Sequence, residues 1–128
     1  MMFARALFLL LVIGPAYAAD QPTCTPIEQW QAVPESIRQD LADRMGRIAE
    51  QGARFNATDV VSSDLANNRF MAACQGGDLT AVAIERGGRG YRIEVFHYRS
   101  GKVVKQWVEL LDADGKAQIK LLEGPVAR

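Results

Sequence analysis

Residues able to take part in covalent catalysis are few, and they are not arranged for it. The chain of 128 residues contains a single histidine, His97. A zinc site needs three or four ligands, and a Ser-His-Asp triad would depend on His97 alone. Glu94 precedes His97 on a predicted strand at a spacing that puts the two side chains on opposite faces. We therefore expect His97 to be a partly buried sheet residue, and we expect no metal, no cofactor and no enzymatic activity.

Two glycine-containing segments resemble ligand-binding loops. Residues 87–90 (GGRG) have the glycines of a phosphate-binding loop, but such a loop needs a strand before it and a helix after it. Predicted strands lie on both sides, so we interpret the segment as a hairpin turn. Residues 112–115 (DADG) resemble the start of a calcium loop, yet the closing glutamate is missing at the required spacing. They too are interpreted as a hairpin turn.

Basic side chains are concentrated in one part of a chain that carries no net charge. The totals are 15 Lys+Arg and 15 Asp+Glu, which give no general argument for binding to nucleic acid or to an anionic membrane. Between positions 86 and 105, however, only Glu94 accompanies a run of basic residues. Such a run is usually a solvated surface, and the alternative is a docking patch for an acidic protein or an anionic envelope polymer. The run consists of Arg86, Arg89, Arg92, Arg99, Lys102 and Lys105.

The first 18 residues have the pattern of a signal peptide. A positive charge precedes an apolar run at residues 6–13, and residues 16–18 (AYA) form a small-x-small cleavage pattern. Spanning a bilayer takes roughly 20 apolar residues, so an uncleaved anchor is the weaker alternative. We expect cleavage after Ala18. Residues 19–128 would then form a single exported domain without a membrane span, in the periplasm or outside a bacterial cell.

Export determines how the two cysteines are interpreted. Cys24 and Cys74 are the only cysteines, and they lie far apart in the chain. They form no Cys-x-x-Cys redox motif, and they are too few for a metal site. In an oxidising compartment a structural disulfide between them is the expected state.

The region before residue 69 is predicted to be largely helical. Residues 25–28 (TPIE) have the form of a helix start, and Pro34 limits this first helix to a short turn in which Trp30 contacts the core. The main helix is predicted from Pro34 to Gln51, with Gly52 as its C-terminal cap. One face of it is apolar and expected to be buried. That face consists of Ile37, Leu41, Met45 and Ile48.

Residues 69–122 have the pattern of an antiparallel β-meander of about five strands. Residues 54–61 could add a strand before it, followed by a polar loop. The alternation is typical of a sheet with one covered face, and the main helix is the natural cover. The predicted fold class is therefore α+β, with an N-terminal helix and a short helical turn packed on one face of the meander. The predicted strands are residues 69–74, 79–86, 91–98, 103–110 and 117–122.

Three aromatic residues, Phe96, Tyr98 and Trp107, fall on the less apolar faces of the predicted strands. If exposed, they would form a contact surface near the arginines Arg86, Arg89 and Arg92. The alternative is that a curved sheet, the helix or a second copy of the chain covers them.

These features favour a small exported protein that acts by binding rather than by catalysis. Its expected partner is another protein of the bacterial envelope or the surroundings, as for an inhibitor of secreted hydrolases or an immunity protein. An alternative is a carrier or sensor of a small apolar ligand, held between sheet and helix near Met45, Phe96 and Trp107. A small hydrolase is the third hypothesis, and it would require two carboxylates, or His97 beside an acid, in one pocket.

Overall fold

The structure is a computed structural model that describes residues 24–109 and residue 121. The predicted signal peptide, the turn at 112–115 and the strand at 117–122, except residue 121, lie outside these residues. The elements in chain order are β1 (Thr25–Ile27), a 3₁₀ turn (Trp30–Ala32), α1 (Glu35–Met45), β2 (Ile48–Ala49), β3 (Asn68–Gly76), β4 (Leu79–Arg86), β5 (Arg92–Arg99) and β6 (Lys102–Glu109).

The strands form one sheet in the order β1-β3-β4-β5-β6, with β2 added alongside β3. Pairing along the path is antiparallel, which confirms the first four strands of the predicted meander as β3 to β6, whereas β2 runs parallel to β3. Ser100 and Gly101 connect β5 to β6, and both have positive φ (54° and 75°). A two-residue turn of this kind matches the twist of the strands it joins.

Helix α1 is shorter than predicted, and it follows β1 rather than standing at the N-terminal end of the fold. It ends at Gly46, whose positive φ of 87° favours glycine, and the Gly46 N–H donates to the Ala42 carbonyl oxygen (2.8 Å). The prediction extended the helix to Gln51 because the apolar spacing continues to Ile48. Ile48 instead belongs to β2, where it lies opposite Asn68.

The helix start predicted at residues 25–28 is wrong. Thr25–Ile27 form β1, with Pro26 opposite Cys74 of β3. Backbone pairing with β3 overrides the local capping pattern, and Pro26 is tolerated because β1 is the terminal strand of the sheet path. A single 3₁₀ turn follows at Trp30–Ala32. Trp30 is buried against Phe70, with ring centroids 5.7 Å apart, which confirms its predicted core position.

Both faces of the central strands are buried, whereas the sequence predicted one covered face. Helix α1 packs on the face whose buried side chains include Phe70, Val82 and Ile84. On the other face Ala83, Ile93 and Val95 are fully buried among larger side chains. Arg92 and Glu94, at alternate positions of β5, suggested a solvated face, but in the structure Arg92 is half-buried and Glu94 is buried. The larger side chains on this second face are Met71, Tyr91, Trp107 and Leu121.

A β-bulge changes the faces of β6. The register between β5 and β6 shifts at His97 and Tyr98, so that Val103 lies opposite Tyr98. Strict alternation placed Val103 on the same face as Trp107, but it packs into the core beneath α1. One extra residue in a strand moves every later side chain of that strand to the opposite face of the sheet.

The predicted disulfide is confirmed. Cys24 is bonded to Cys74, with 5.3 Å between the Cα atoms and a separation of 50 residues along the chain. The bond ties the start of the described chain to the middle of the sheet. It is consistent with an exported protein, because such bonds persist in oxidising compartments. No helix within residues 24–109 is long and apolar enough to cross a membrane.

Removing the disulfide should weaken the fold strongly. We expect Cys24→Ala together with Cys74→Ala to lower the free energy of unfolding by roughly 4 kcal/mol, because the unfolded chain regains the entropy of the closed loop. Urea unfolding measures the change. A reducing agent should destabilise the wild type to the same extent and leave the double variant unaffected. Equal stability of the oxidised and reduced wild type would contradict this account.

Candidate functional site

A groove of about 280 Å³ lies beyond the C-terminal end of α1, beside the turn between β4 and β5. We term it the arginine groove. It brings together the three arginines that the sequence placed in a candidate binding surface. Its lining residues are Met45, Asn67, Asn68, Arg86, Gly87, Gly88, Arg89 and Arg92.

The β4–β5 hairpin positions these arginines. Arg86 and Arg92 are directly opposite each other in the antiparallel register, and both are half-buried, while Arg89 is exposed in the turn. Opposed residues on neighbouring strands have their Cβ atoms about 5 Å apart, and like charges in this position destabilise a sheet. The opposition of Arg86 and Arg92 is therefore expected to destabilise the hairpin rather than to stabilise it.

Arg86 forms the fixed wall of the groove. Its Nη1 pairs with Glu94, and its Nε donates to the Asn68 side-chain oxygen (2.8 Å). The Asn68 Nδ2 in turn donates to the backbone oxygens of Met45 (2.9 Å) and Arg47 (3.3 Å), at the end of α1. Within residues 24–109, Arg89 and Arg92 form no ion pair. They are the two arginines of the groove whose charge is not compensated among the described residues.

The β4–β5 turn is hydrogen-bonded to the loop of residues 56–67. The Gly87 N–H donates to the Asn67 carbonyl oxygen (2.8 Å), and the Gly88 N–H donates to the Thr58 carbonyl oxygen (2.9 Å). A Cβ at position 87 would lie 1.8 Å from the Asn56 carbonyl oxygen, so only glycine fits there. Residues 87–90 thus form a hairpin turn, as predicted, and their first glycine also permits close contact with a second loop.

The loop is organised by Asn56, which is 4% exposed. The Asn56 Nδ2 donates to the backbone oxygens of Ser62 (2.9 Å) and Leu65 (3.1 Å) and to the side-chain oxygen of Asn67 (2.8 Å). Its Oδ1 accepts from the Ser62 N–H (2.9 Å). Residues 54–61, predicted as a strand, are therefore loop. Sequence reasoning missed the role of Asn56, for which the only signal was the preference of asparagine for turns.

Gly87→Ala should release the turn from the loop. The added methyl group collides with backbone rather than with a flexible side chain, so we expect a loss of about 2 kcal/mol or more in the free energy of unfolding. Hydrogen exchange should also speed up at the amides of Gly88 and Ser62. Gly77→Ala is the matched control, because its Cβ would meet nothing within 4 Å and only its positive φ of 62° is strained. Unchanged exchange at Gly88 in the Gly87 variant would refute the contact.

The aromatic part of the predicted surface is not formed. Phe96 and Tyr98 are each 1% exposed beneath α1, which confirms the alternative that the helix covers them. Trp107 lies on the other face, edge-on to His97 at 4.9 Å between centroids and 5.5 Å from the Lys105 Nζ. Because Phe96 and Trp107 are on opposite faces of the sheet, they do not line one cavity with Met45.

Tyr98 connects α1 to the sheet. Its hydroxyl donates to the Asp40 Oδ2 (2.6 Å), and Asp40 also pairs with Arg44 (2.7 Å). Burial raises the pKa of Tyr98, and the hydrogen bond to Asp40 raises it further. The pKa of Asp40 is lowered by the Tyr98 hydroxyl and by Arg44. This contact fixes the helix whose C-terminal end borders the arginine groove.

His97 is buried, as the sequence predicted. Its Nε2 is hydrogen-bonded to the Leu121 carbonyl oxygen, and no carboxylate contacts it among the described residues. Burial lowers the pKa of His97, and the nearby Lys105 lowers it as well, while the bond to Leu121 acts in the opposite direction. The imidazole is therefore neutral at neutral pH.

This lowered pKa predicts a loss of stability on acidification. Below an ordinary histidine pKa of 6.5 the unfolded chain binds a proton that folded His97 resists, so the free energy of unfolding falls as the pH decreases. The difference between the wild type and His97→Gln, measured by urea unfolding between about pH 7 and pH 5, isolates this effect. Gln keeps an Nε2 donor for Leu121. Parallel profiles for the two proteins would show that His97 contributes nothing.

Comparisons with protein-family models, curated proteins and solved structures found no match to this chain. In residues 24–109 and 121, no three His, Cys, Asp or Glu side chains come together in a way that could hold a metal ion. Function is therefore inferred from the arginine groove itself.

Proposed function

We propose that this protein is exported, acts by binding without catalysis, and uses the arginine groove to receive carboxylate groups of another protein. The partner belongs to the bacterial envelope or its surroundings, and the action is that of an inhibitor or an immunity protein. The observation that carries the proposal is the juxtaposition of Arg86, Arg89 and Arg92, with two of the three charges uncompensated among the described residues.

The chemistry of the lining suits binding of an anion. A guanidinium donates two parallel hydrogen bonds to a carboxylate, which gives direction as well as charge attraction. Asn67 adds a side-chain amide at the same rim. Arginine keeps its proton at any physiological pH, so these residues are poor candidates for a general base or a nucleophile. The groove is therefore better suited to holding a ligand than to transforming one.

The opposition of Arg86 and Arg92 adds to this argument. Two like charges facing each other across a strand pair weaken the sheet, and a bound carboxylate between them would relieve the repulsion. Arg86 is compensated by Glu94, which is also held by Gln106 Nε2. Arg92 gains no such partner in the described chain, so its charge has a use in binding rather than in folding.

The groove is also preorganised. Arg86 is fixed by Asn68 and Glu94, and the turn is held by the contact of Gly87 with the 56–67 loop. Ordering flexible side chains and loops on binding would otherwise reduce the affinity. A rigid pocket on a disulfide-bonded domain suits recognition outside the reducing cytoplasm.

Charge removal in the groove tests the proposal. A fluorescent glutamate-rich peptide should bind the wild type at low ionic strength, and added salt should weaken the complex. Arg89→Gln with Arg92→Gln should reduce the affinity at least about tenfold, because charge-assisted hydrogen bonds are lost. Fluorescence anisotropy measures the binding. A glutamine-rich peptide of equal length should not bind.

The matched control is Arg99→Gln with Lys102→Gln, at the other end of β5, roughly 24 Å from Arg92 along the strand. This pair removes the same formal charge, with Arg99 taken from its pair with Asp78 (3.1 Å), and it should leave the affinity unchanged. Arg92→Gln should not lower the free energy of unfolding, since Arg92 faces Arg86. No binding of the glutamate-rich peptide, or equal loss in both double variants, would overturn the proposal.

A further inference from the structure

The 56–67 loop carries an exposed apolar tip next to the arginine groove. Val60 is 81% exposed and Val61 is 52% exposed, so Val60 is the most exposed large apolar side chain of the described residues. Single exposed apolar residues are common on proteins, but here two follow each other at the tip of one loop.

The loop holds this tip in place. The Thr58 side-chain oxygen accepts from the Val60 N–H (3.2 Å), and Asn56 binds the backbone on both sides of the turn at Ser62 and Leu65. The Ser62 hydroxyl also donates to Asp64. The exposure of the two valines therefore results from a hydrogen-bonded loop structure.

The tip and the groove belong to one structural unit. Thr58 lies two residues before Val60, and its carbonyl oxygen accepts a hydrogen bond from the Gly88 N–H. Gly88 directly precedes Arg89. Gly87 packs against the Asn56 backbone at the base of the same loop. Backbone contacts thus hold the segment that leads to Val60 against the turn that carries Arg89.

We infer that Val60 and Val61 extend the arginine groove into a composite docking surface for an acidic protein segment that carries apolar side chains between its carboxylates. The inference rests on the proposed function: the groove provides the charge attraction, and the tip adds apolar contact area and selectivity. Interfaces commonly combine an apolar centre with charged residues around it.

The charges of the loop favour a protein over an anionic membrane surface. Asp59 precedes Val60, Asp64 lies at the end of the tip, and both are exposed. Insertion of Val60 among lipid headgroups would bring Asp59 against negative charge, which is repulsive. A protein segment has its carboxylates at separate positions and can keep them away from Asp59, which a continuous anionic surface cannot do.

Two peptides of equal length and charge test the inference. One alternates glutamate with leucine, and the other has serine in place of leucine. The wild type should bind the leucine peptide about tenfold more tightly, because apolar side chains are buried only in that complex. Val60→Ser with Val61→Ser should bind both peptides alike, with the affinity of the wild type for the serine peptide. Fluorescence anisotropy measures each affinity.

Val104→Ser with Val108→Ser is the matched control, since these β6 side chains are 50% and 47% exposed and lie away from the groove lining. It should keep the preference for leucine. Equal binding of both peptides by the wild type would overturn the inference and leave the proposed function standing, whereas binding of neither would overturn both. Tighter binding to phosphatidylglycerol vesicles than to the leucine peptide, lost in the Val60/Val61 variant, would assign the tip to a membrane.

Discussion

Pairing along both edges of β3 is the constraint on which the rest of the structure depends. One edge of β3 binds β4, and the other binds β1 and β2. Its first residue, Asn68, holds both the end of α1 and the side chain of Arg86. Its Cys74 is bonded to Cys24. The helix, the disulfide and the wall of the arginine groove are therefore all positioned from a single strand.

The arginines of strands β3 to β5 and of the β4–β5 turn differ in their partners. Arg69 makes two hydrogen bonds to Glu85 (2.6 and 3.0 Å), which the Tyr91 hydroxyl also contacts (2.6 Å). In such half-buried pairs each charge is compensated by an opposite charge, because an unpaired buried charge destabilises the fold. Arg89 and Arg92 have no counterpart of this kind in the part of the chain that the structure describes. This contrast separates arginines that stabilise the fold from those that we assign to a partner.

Local sequence patterns predicted the bounds of the strands better than the end of the helix or the burial of the strand faces. The bounds of β4 were predicted correctly and those of β5 and β6 within one residue, because turn residues and alternation are local signals. The end of α1 was predicted wrongly, since the apolar spacing continued past Gly46 into β2. The faces of β5 were misjudged because Glu94 looks solvated in sequence but is buried, with Arg86 and Gln106 as its partners.

The sequence by itself determined the meander, the pairing of the only two cysteines, and the basic character of the β4–β5 turn. These follow from residue types and short-range spacing. The tertiary structure alone decided that α1 covers Phe96 and Tyr98, and that Gly87 packs against the backbone of Asn56. Both depend on contacts between segments distant in the chain, which no local pattern encodes. For the same reason, only the fold shows that Arg86 faces Arg92 in a groove beside an exposed apolar loop.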